Sequence, residues 1–180
     1  MRLMIPGSRM RWLVCALVVA AAWAADAGRP APPFTMLRVN QPSLKLSQYR
    51  GKVVALAFIL TTCGHCQQFT VELNQIAPAY AARGVQIVEC ALNEDALQSM
   101  PEFLERFTPT YPVTYSAPAA VAAFLQRTIF DERPLRVPYL VLIDRTGVIR
   151  AEFPGESEFF QNPGPNLRTQ LDKMLGAGRK

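Results

Sequence analysis

Residues Val53 to Leu60 read VVALAFIL, eight apolar residues without a break, and the chain then runs directly into TTCGHCQQF. A run of that length has no polar face. It fits a strand covered by helices on both sides rather than one with a wet face. From Gly64 the period changes: Phe69, Leu73, Ile76 and Tyr80 recur at helical spacing until Arg83-Gly84 ends the pattern. Pro78 should kink this helix or stop it early. Two cysteines with a histidine between them therefore fall where a buried strand gives way to a helix.

The same reading extends along the chain. VQIVECAL, Val85 to Leu92, is a second buried strand and YLVLI, Tyr139 to Ile143, a third. Asn93 is placed to cap a helix carrying Leu97, Met100, Phe103, Leu104 and Phe107, with Pro101 limiting its start. YPVTY is a short strand, and Pro118 to Gln126 a short helix with Val121, Phe124 and Leu125 inward. Asp144 to Gly147 is a turn into a returning strand, VIRAEF. Leu167, Leu171, Met174 and Leu175 mark a closing helix. Before the first buried strand, Phe34–Val39 and Leu44–Leu46 form a pair of short strands. The order β-α-β-α-β-α-β-β-α indicates an α/β fold with a mixed sheet.

The first 27 residues are of another kind. Arg2, Arg9 and Arg11 form a basic head, Trp12 to Ala25 is an unbroken apolar run, and Ala25 and Ala27 flank Asp26 as small residues. Fourteen apolar residues suit a signal peptide and fall short of the ~20 a membrane span requires. Residues 1–27 are read as an export signal, 28–33 (GRPAPP) as a flexible leader, and 34–180 as one domain. An uncleaved membrane anchor is the alternative. Cys15 sits inside the apolar run and leaves with the signal. Cleavage takes three basic residues and one acidic residue from a net charge of +5 and leaves +3. With no Lys/Arg tract in the sequence, nucleic acid is not an expected partner.

Three cysteines then remain, Cys63, Cys66 and Cys90, which is no framework of staples. A structural zinc site needs about four ligands, and the chain holds one histidine. A disulfide across two intervening residues gains little by chain entropy and is comparatively reducible, so it makes a poor staple and a good exchanger. At a helix start, unsatisfied N–H groups and the helix dipole favour a thiolate at Cys63, and His65 adds positive character beside it. Cys66 lies one turn further in, placed to attack a mixed disulfide. Cys90, within an apolar strand, reads as a small core hydrophobe.

LSQYRGKVVALAFILTTCGHCQQF, the segment from Asn93 to Gln126, the block VPYLVLIDRTGVIRAEFPG and the terminal helix together resemble the thioredoxin superfamily. Within it they are most similar to the exported TlpA/ResA-like thiol–disulfide oxidoreductases and the AhpC/TSA-type redoxins, over Phe34 to Leu175. The resemblance implies a thioredoxin-like fold, a mixed central sheet flanked by helices, with the inserted helix and strand of the TlpA type. It implies a thiol–disulfide oxidoreductase that needs no cofactor. Cys63 is its nucleophile, Cys66 its resolving cysteine, and His65 tunes the pair. Pro138 is implied to be a cis-proline that, with Val137, Gly64 and Thr62, guides the partner. The expected partners are cysteine-containing exported proteins and a recycling thiol–disulfide protein, in the periplasm or another exported location, with the membrane involved only if the N-terminal segment is retained.

The departures are specific. Thr61-Thr62 stands where many members carry Trp, Ala57 where thioredoxin has a buried Asp, and Phe69 where ResA-like proteins have a Glu. The proton acceptor for Cys66 is left open: Glu89 is one candidate, and an exposed strand-edge Glu is the other reading of that residue. Gly64-His65 resembles the disulfide isomerase motif, which implies a less reducing couple than thioredoxin's Gly-Pro. Two rivals stand beside this reading. A thiol peroxidase would need a proline-containing peroxidatic motif that residues 56–63 lack, and a Sco-like copper carrier a wider cysteine spacing and a second histidine.

Overall fold

A computed structural model describes residues 28–127 and 134–177, and the segment read as an export signal, with Cys15, lies outside them. Eight strands form one sheet: β1 (Arg29–Pro30), β2 (Thr35–Arg38), β3 (Gln41–Lys45), β4 (Val53–Ile59), β5 (Val85–Ala91), β6 (Val113–Tyr115), β7 (Tyr139–Ile143) and β8 (Val148–Phe153). The helices are α1 (Gly64–Ala81), α2 (Ala96–Phe107), α3 (Pro118–Phe124) and α4 (Pro163–Ala177). The strand order is β1-β8-β7-β4-β5-β6-β2-β3. β4 pairs in parallel with β5 and β5 with β6, while β4 meets β7 antiparallel. This is the mixed, helix-flanked sheet of a thioredoxin-like fold, with α2, β6 and α3 filling the inserted segment.

β4 is buried at every position, as its unbroken apolar run requires. Its alternate residues serve two cores. Val53, Ala55, Ala57 and Ile59 face α1, α2 and α4, among Phe69, Leu73, Met100, Leu167 and Leu171. Val54, Leu56 and Phe58 face α3 and the N-terminal strands, among Phe34, Met36, Val121 and Phe124. The sheet thus separates two packed layers, and residues adjacent in sequence on β4 or β5 belong to different ones.

Four local expectations are corrected. Residues 28–33, read as a flexible leader, supply β1: Arg29 and Pro30 pair with Ile149 and Val148, and the Arg29 guanidinium binds Glu152 at 2.7 Å. An edge strand and an ion pair hold what composition alone marks as loose. α1 continues past Pro78 to Ala81, because proline forfeits one backbone bond near the end of a helix whose Leu73, Ile76, Ala77 and Tyr80 are all buried. α2 likewise runs through Pro101, and its N-cap is Asp95 rather than Asn93. On α2, Met100 and Phe103 are buried and Leu97 is 50% exposed. Among the described residues no helix is long and apolar enough to cross a membrane.

Candidate functional site

The site is built where β4 ends. Cys63 is the N-cap residue of α1, in extended conformation, with no side chain capping the helix. The first turn therefore presents its N–H groups and the positive end of the dipole to the Cys63 region. Gln67 N–H closes the first turn on the Cys63 carbonyl at 2.9 Å. Cys63 is half-buried, Cys66 fully buried, and Thr62, Gly64 and His65 are exposed. Both thiols are free, and they lie close together. Burial, then contact with Cys63 and the charge of Glu89, holds the Cys66 thiol well above the ordinary thiol range, against a counteracting backbone interaction at Leu60.

The turn is anchored to the inserted helix. Asn93 Oδ1 accepts from Thr61 N–H at 3.2 Å, Asn93 Nδ2 donates to Thr61 Oγ1 at 3.0 Å, and the Thr61 and Ser99 hydroxyls are 2.7 Å apart. Gln67 Nε2 donates to the Thr61 carbonyl at 2.8 Å. Asn93 thus fastens the residues before Cys63 to the start of α2, a role its expected place as a helix cap concealed.

The Val137–Pro138 peptide is cis, as the resemblance implied. Gly155 lies hard against it: a Cβ there would come within 2.9 Å of the Val137 carbonyl, so the position admits only glycine. His65 and Pro138 line one open groove of ≈ 640 Å³ with Phe69, Val71, Gly155 and Phe160. Thr62 does not join them. It lines a separate hollow of ≈ 80 Å³ with Ser99 and Phe103, on the α2 side of the turn. The structure therefore brings Cys63, Cys66, His65, Val137 and Pro138 to one end of the sheet and sets Thr62 apart.

Glu89 is not an exposed strand-edge residue. It is 0% exposed, because β5 is an inner strand paired on both sides, with Ala57 and Val113 as its Cα partners. Its side chain lies on the α1 face with Thr70 and Tyr111, and its carboxyl accepts from Thr70 Oγ1 at 2.8 Å and Tyr111 Oη at 3.2 Å. Burial pushes this carboxyl up to about 7, against the pull of those two donors. Thr70 and Tyr111 carried no signal in the sequence. Glu89 carried one: a lone charge inside a strand apolar on both faces.

Cys90, the next residue, points the other way, into the α3 layer. Burial pushes its thiol up to about 12, and the sheet stands between it and Cys66. Among the described residues no three His, Cys, Asp or Glu side chains converge on a common point.

Comparison with known proteins agrees with this geometry. A family model described as Redoxin matches residues 26–170. The thiol-disulfide oxidoreductase ResA of Geobacillus kaustophilus is 31% identical over 128 residues, 71% of this chain and 69% of that protein. ResA of Geobacillus thermodenitrificans is 30% identical over the same shares. Among solved structures, a thioredoxin-family thiol:disulfide interchange protein from Chlorobium tepidum superposes with a TM-score of 0.65 at 23% identity, over 80% of this chain and 97% of that one. An uncharacterized conserved protein from Geobacillus kaustophilus superposes at 0.68 with 20% identity, over 84% and 82%. At those identities the two structures speak for the fold alone.

Proposed function

The chain belongs to the Redoxin family and is similar to its ResA-type members, and from that premise we propose how it acts as a thiol–disulfide oxidoreductase on exported proteins. Cys63 is the nucleophile. It attacks a partner disulfide, or in the reverse direction is attacked as part of the Cys63–Cys66 disulfide. Cys66 resolves the mixed disulfide from its buried position. His65 sets the balance between the two states, and an extended partner segment lies along Val137 and Pro138 beside Gly64. The recycling partner is a second thiol–disulfide protein.

One observation carries this reading above the rest: Cys63 caps α1 and is half-buried while Cys66, close to it, is wholly buried. That leaves the outer sulfur more open to a partner, which supports Cys63 as the attacking thiol. Export rests on the basic head, apolar run and small-residue cleavage site of residues 1–27.

The test is trapping. Cys66→Ser should accumulate mixed disulfides with cysteine-containing exported proteins on a non-reducing gel, and Cys63→Ser should not. Equal trapping by both, or trapping by Cys63→Ser alone, reverses the assignment. Turnover of hydrogen peroxide by the wild type, without exchange activity, would favour a peroxidase.

A further inference from the structure

Resolution requires Cys66 to lose a proton, and the surface of the exchange site does not take it. The thiol is sealed from solvent and its anion is disfavoured there. A base must therefore lie on the buried side. Among the described residues, the titratable groups facing that side are Glu89 on β5 and Tyr111 ahead of β6, and β4 offers only Ala57 in register with Glu89. Tyr111 is a donor whose own proton is held more firmly by burial and by the Glu89 charge. Glu89 is left. The charge on Glu89 acts on Cys66, and no cation figures among the groups that act on Glu89.

The hydrogen bonds around this carboxyl accommodate both of its protonation states. Thr70 Oγ1 is 2.8 Å from Glu89 Oε1 and 3.0 Å from the carbonyl oxygen of Cys66. Tyr111 Oη is 3.2 Å from Glu89 Oε2 and 3.3 Å from the carbonyl oxygen of Thr70. Each hydroxyl has a single proton to give. When Glu89 is ionised, both hydroxyls donate to it. When it is neutral, its O–H on Oε1 donates to Thr70 Oγ1, which donates to the Cys66 carbonyl, and Tyr111 goes on donating to Oε2. No buried polar atom is stranded in either state, so a change of charge leaves no hydrogen bond unmade, and the cost that remains is the desolvation that raises the carboxyl.

Building on the exchange reading above, we infer that Glu89 is the proton acceptor of the resolving step. As Cys66 attacks, its S–H proton passes to the Glu89 carboxylate, and its sulfur electron pair forms the bond to Cys63 Sγ. The bond between Cys63 and the partner breaks, and its electron pair leaves on the partner sulfur as a thiolate. Cys63 and Cys66 are oxidised together by two electrons and the partner is reduced. In the opposite direction Glu89 returns the proton to Cys66. The acid lies on the strand next to Ala57, on the same face, and reaches the cysteine through a different wall of the site.

Stopped-flow reaction of the reduced protein with Ellman's reagent separates the steps. The first release of coloured thiolate reports attack by Cys63, and the second reports resolution by Cys66. The second phase of the wild type should accelerate with pH through a midpoint near 7, where Glu89 titrates. Glu89→Gln should slow that phase ~10²-fold at neutral pH, the lower end of what a positioned base supplies. It should also erase the midpoint and leave the first phase unchanged. Glu89→Asp should keep a midpoint and shift it, and Glu89→Gln with Ala57→Asp, which returns a carboxyl on the register partner, should restore one. A wild-type second phase with no such midpoint overturns the inference even if the glutamine variant does not fold, as does a glutamine variant whose second phase matches wild type. Absence of both phases in the wild type would instead break the exchange reading itself.

Discussion

On the α3 face of the sheet, Phe34, Phe58 and Phe124 pack ring against ring with centroids 4.9, 5.7 and 5.8 Å apart, and Cys90 lies among them as one more apolar side chain. On the α1 face, one strand position away, the apolar layer is interrupted by Cys66, Thr70, Glu89 and Tyr111, with Thr70 bonded to the Cys66 carbonyl and, like Tyr111, to the Glu89 carboxyl. The two faces share β4 and β5, so the sheet imposes the same demand on both. The α3 face shows that this demand is met by hydrophobic packing alone. A carboxyl buried with two neutral donors and no cation costs stability, and nothing in the fold requires it. The difference marks which face carries chemistry.

The sharpest way to break the comparison is to damage the dry face. Phe58→Ala removes one fully buried ring of that cluster and should cost ~3–5 kcal/mol, a large part of the roughly 5–15 kcal/mol typical of a domain. Urea denaturation measures it. The reduction potential of the Cys63–Cys66 couple should stay where it is in the folded fraction. A shifted potential would mean that the two layers are coupled through the sheet.

The wet face should answer to pH. The Glu89 carboxyl rises from 4.5 to about 7 on folding. A group raised in this way contributes stability that is present below its unfolded value and is lost as pH climbs through its folded one. Relative to Glu89→Gln, the wild type should therefore lose about 3 kcal/mol between about pH 4 and about pH 8. Denaturation curves of the two proteins at both pH values give the difference directly. A constant difference would mean that the carboxyl is solvated and the polar cluster is loose.

How far the sequence disclosed these two faces differs with the kind of signal. The position of β4 and the exchange site were legible because an apolar run and an abrupt change of period are local features. Cis geometry at Pro138 was legible only through resemblance, since no local rule selects one proline among 15. The leader was misjudged because its order comes from β8 and Glu152, far along the chain. Pro78 and Pro101 were given too much weight, because buried neighbours such as Ile76 and Met100 hold a helix across one missing bond. Glu89 was ambiguous since a charge in a strand reads equally as an edge residue. The decisive fact is that β5 has a partner on either side, and that is a property of topology.

A smaller effect should come from the rim of the site. His65 is exposed next to Cys63 in the first turn of α1, where a donor or positive charge stabilises the reduced, thiolate-bearing state. His65→Pro is sterically tolerated in a first turn and removes that help. The potential should become more negative by roughly 30–60 mV, which is ~1.4–2.8 kcal/mol for two electrons. Equilibration with a glutathione buffer measures it. A potential that stays put, or moves positive, would leave the helix end alone as the determinant.

The smallest effect is expected at the residue beside Glu89. Cys90 shares its strand, yet its side chain enters the α3 layer, with Phe58 and Thr114 as Cα partners. Burial keeps it a thiol at any physiological pH, so it has neither the charge nor the access to exchange. Cys90→Ala should cost about 1 kcal/mol, as an ordinary core truncation does, and leave both phases of thiol exchange at their wild-type rates. Alkylation of the native, reduced protein followed by mass spectrometry should label Cys63 and leave Cys90 unmodified until denaturant is added. A Cys90 adduct under native conditions, or slower resolution in Cys90→Ala, would show that the dry face takes part in the redox cycle, and the contrast between the faces would fail at the one position where both could be read from adjacent residues.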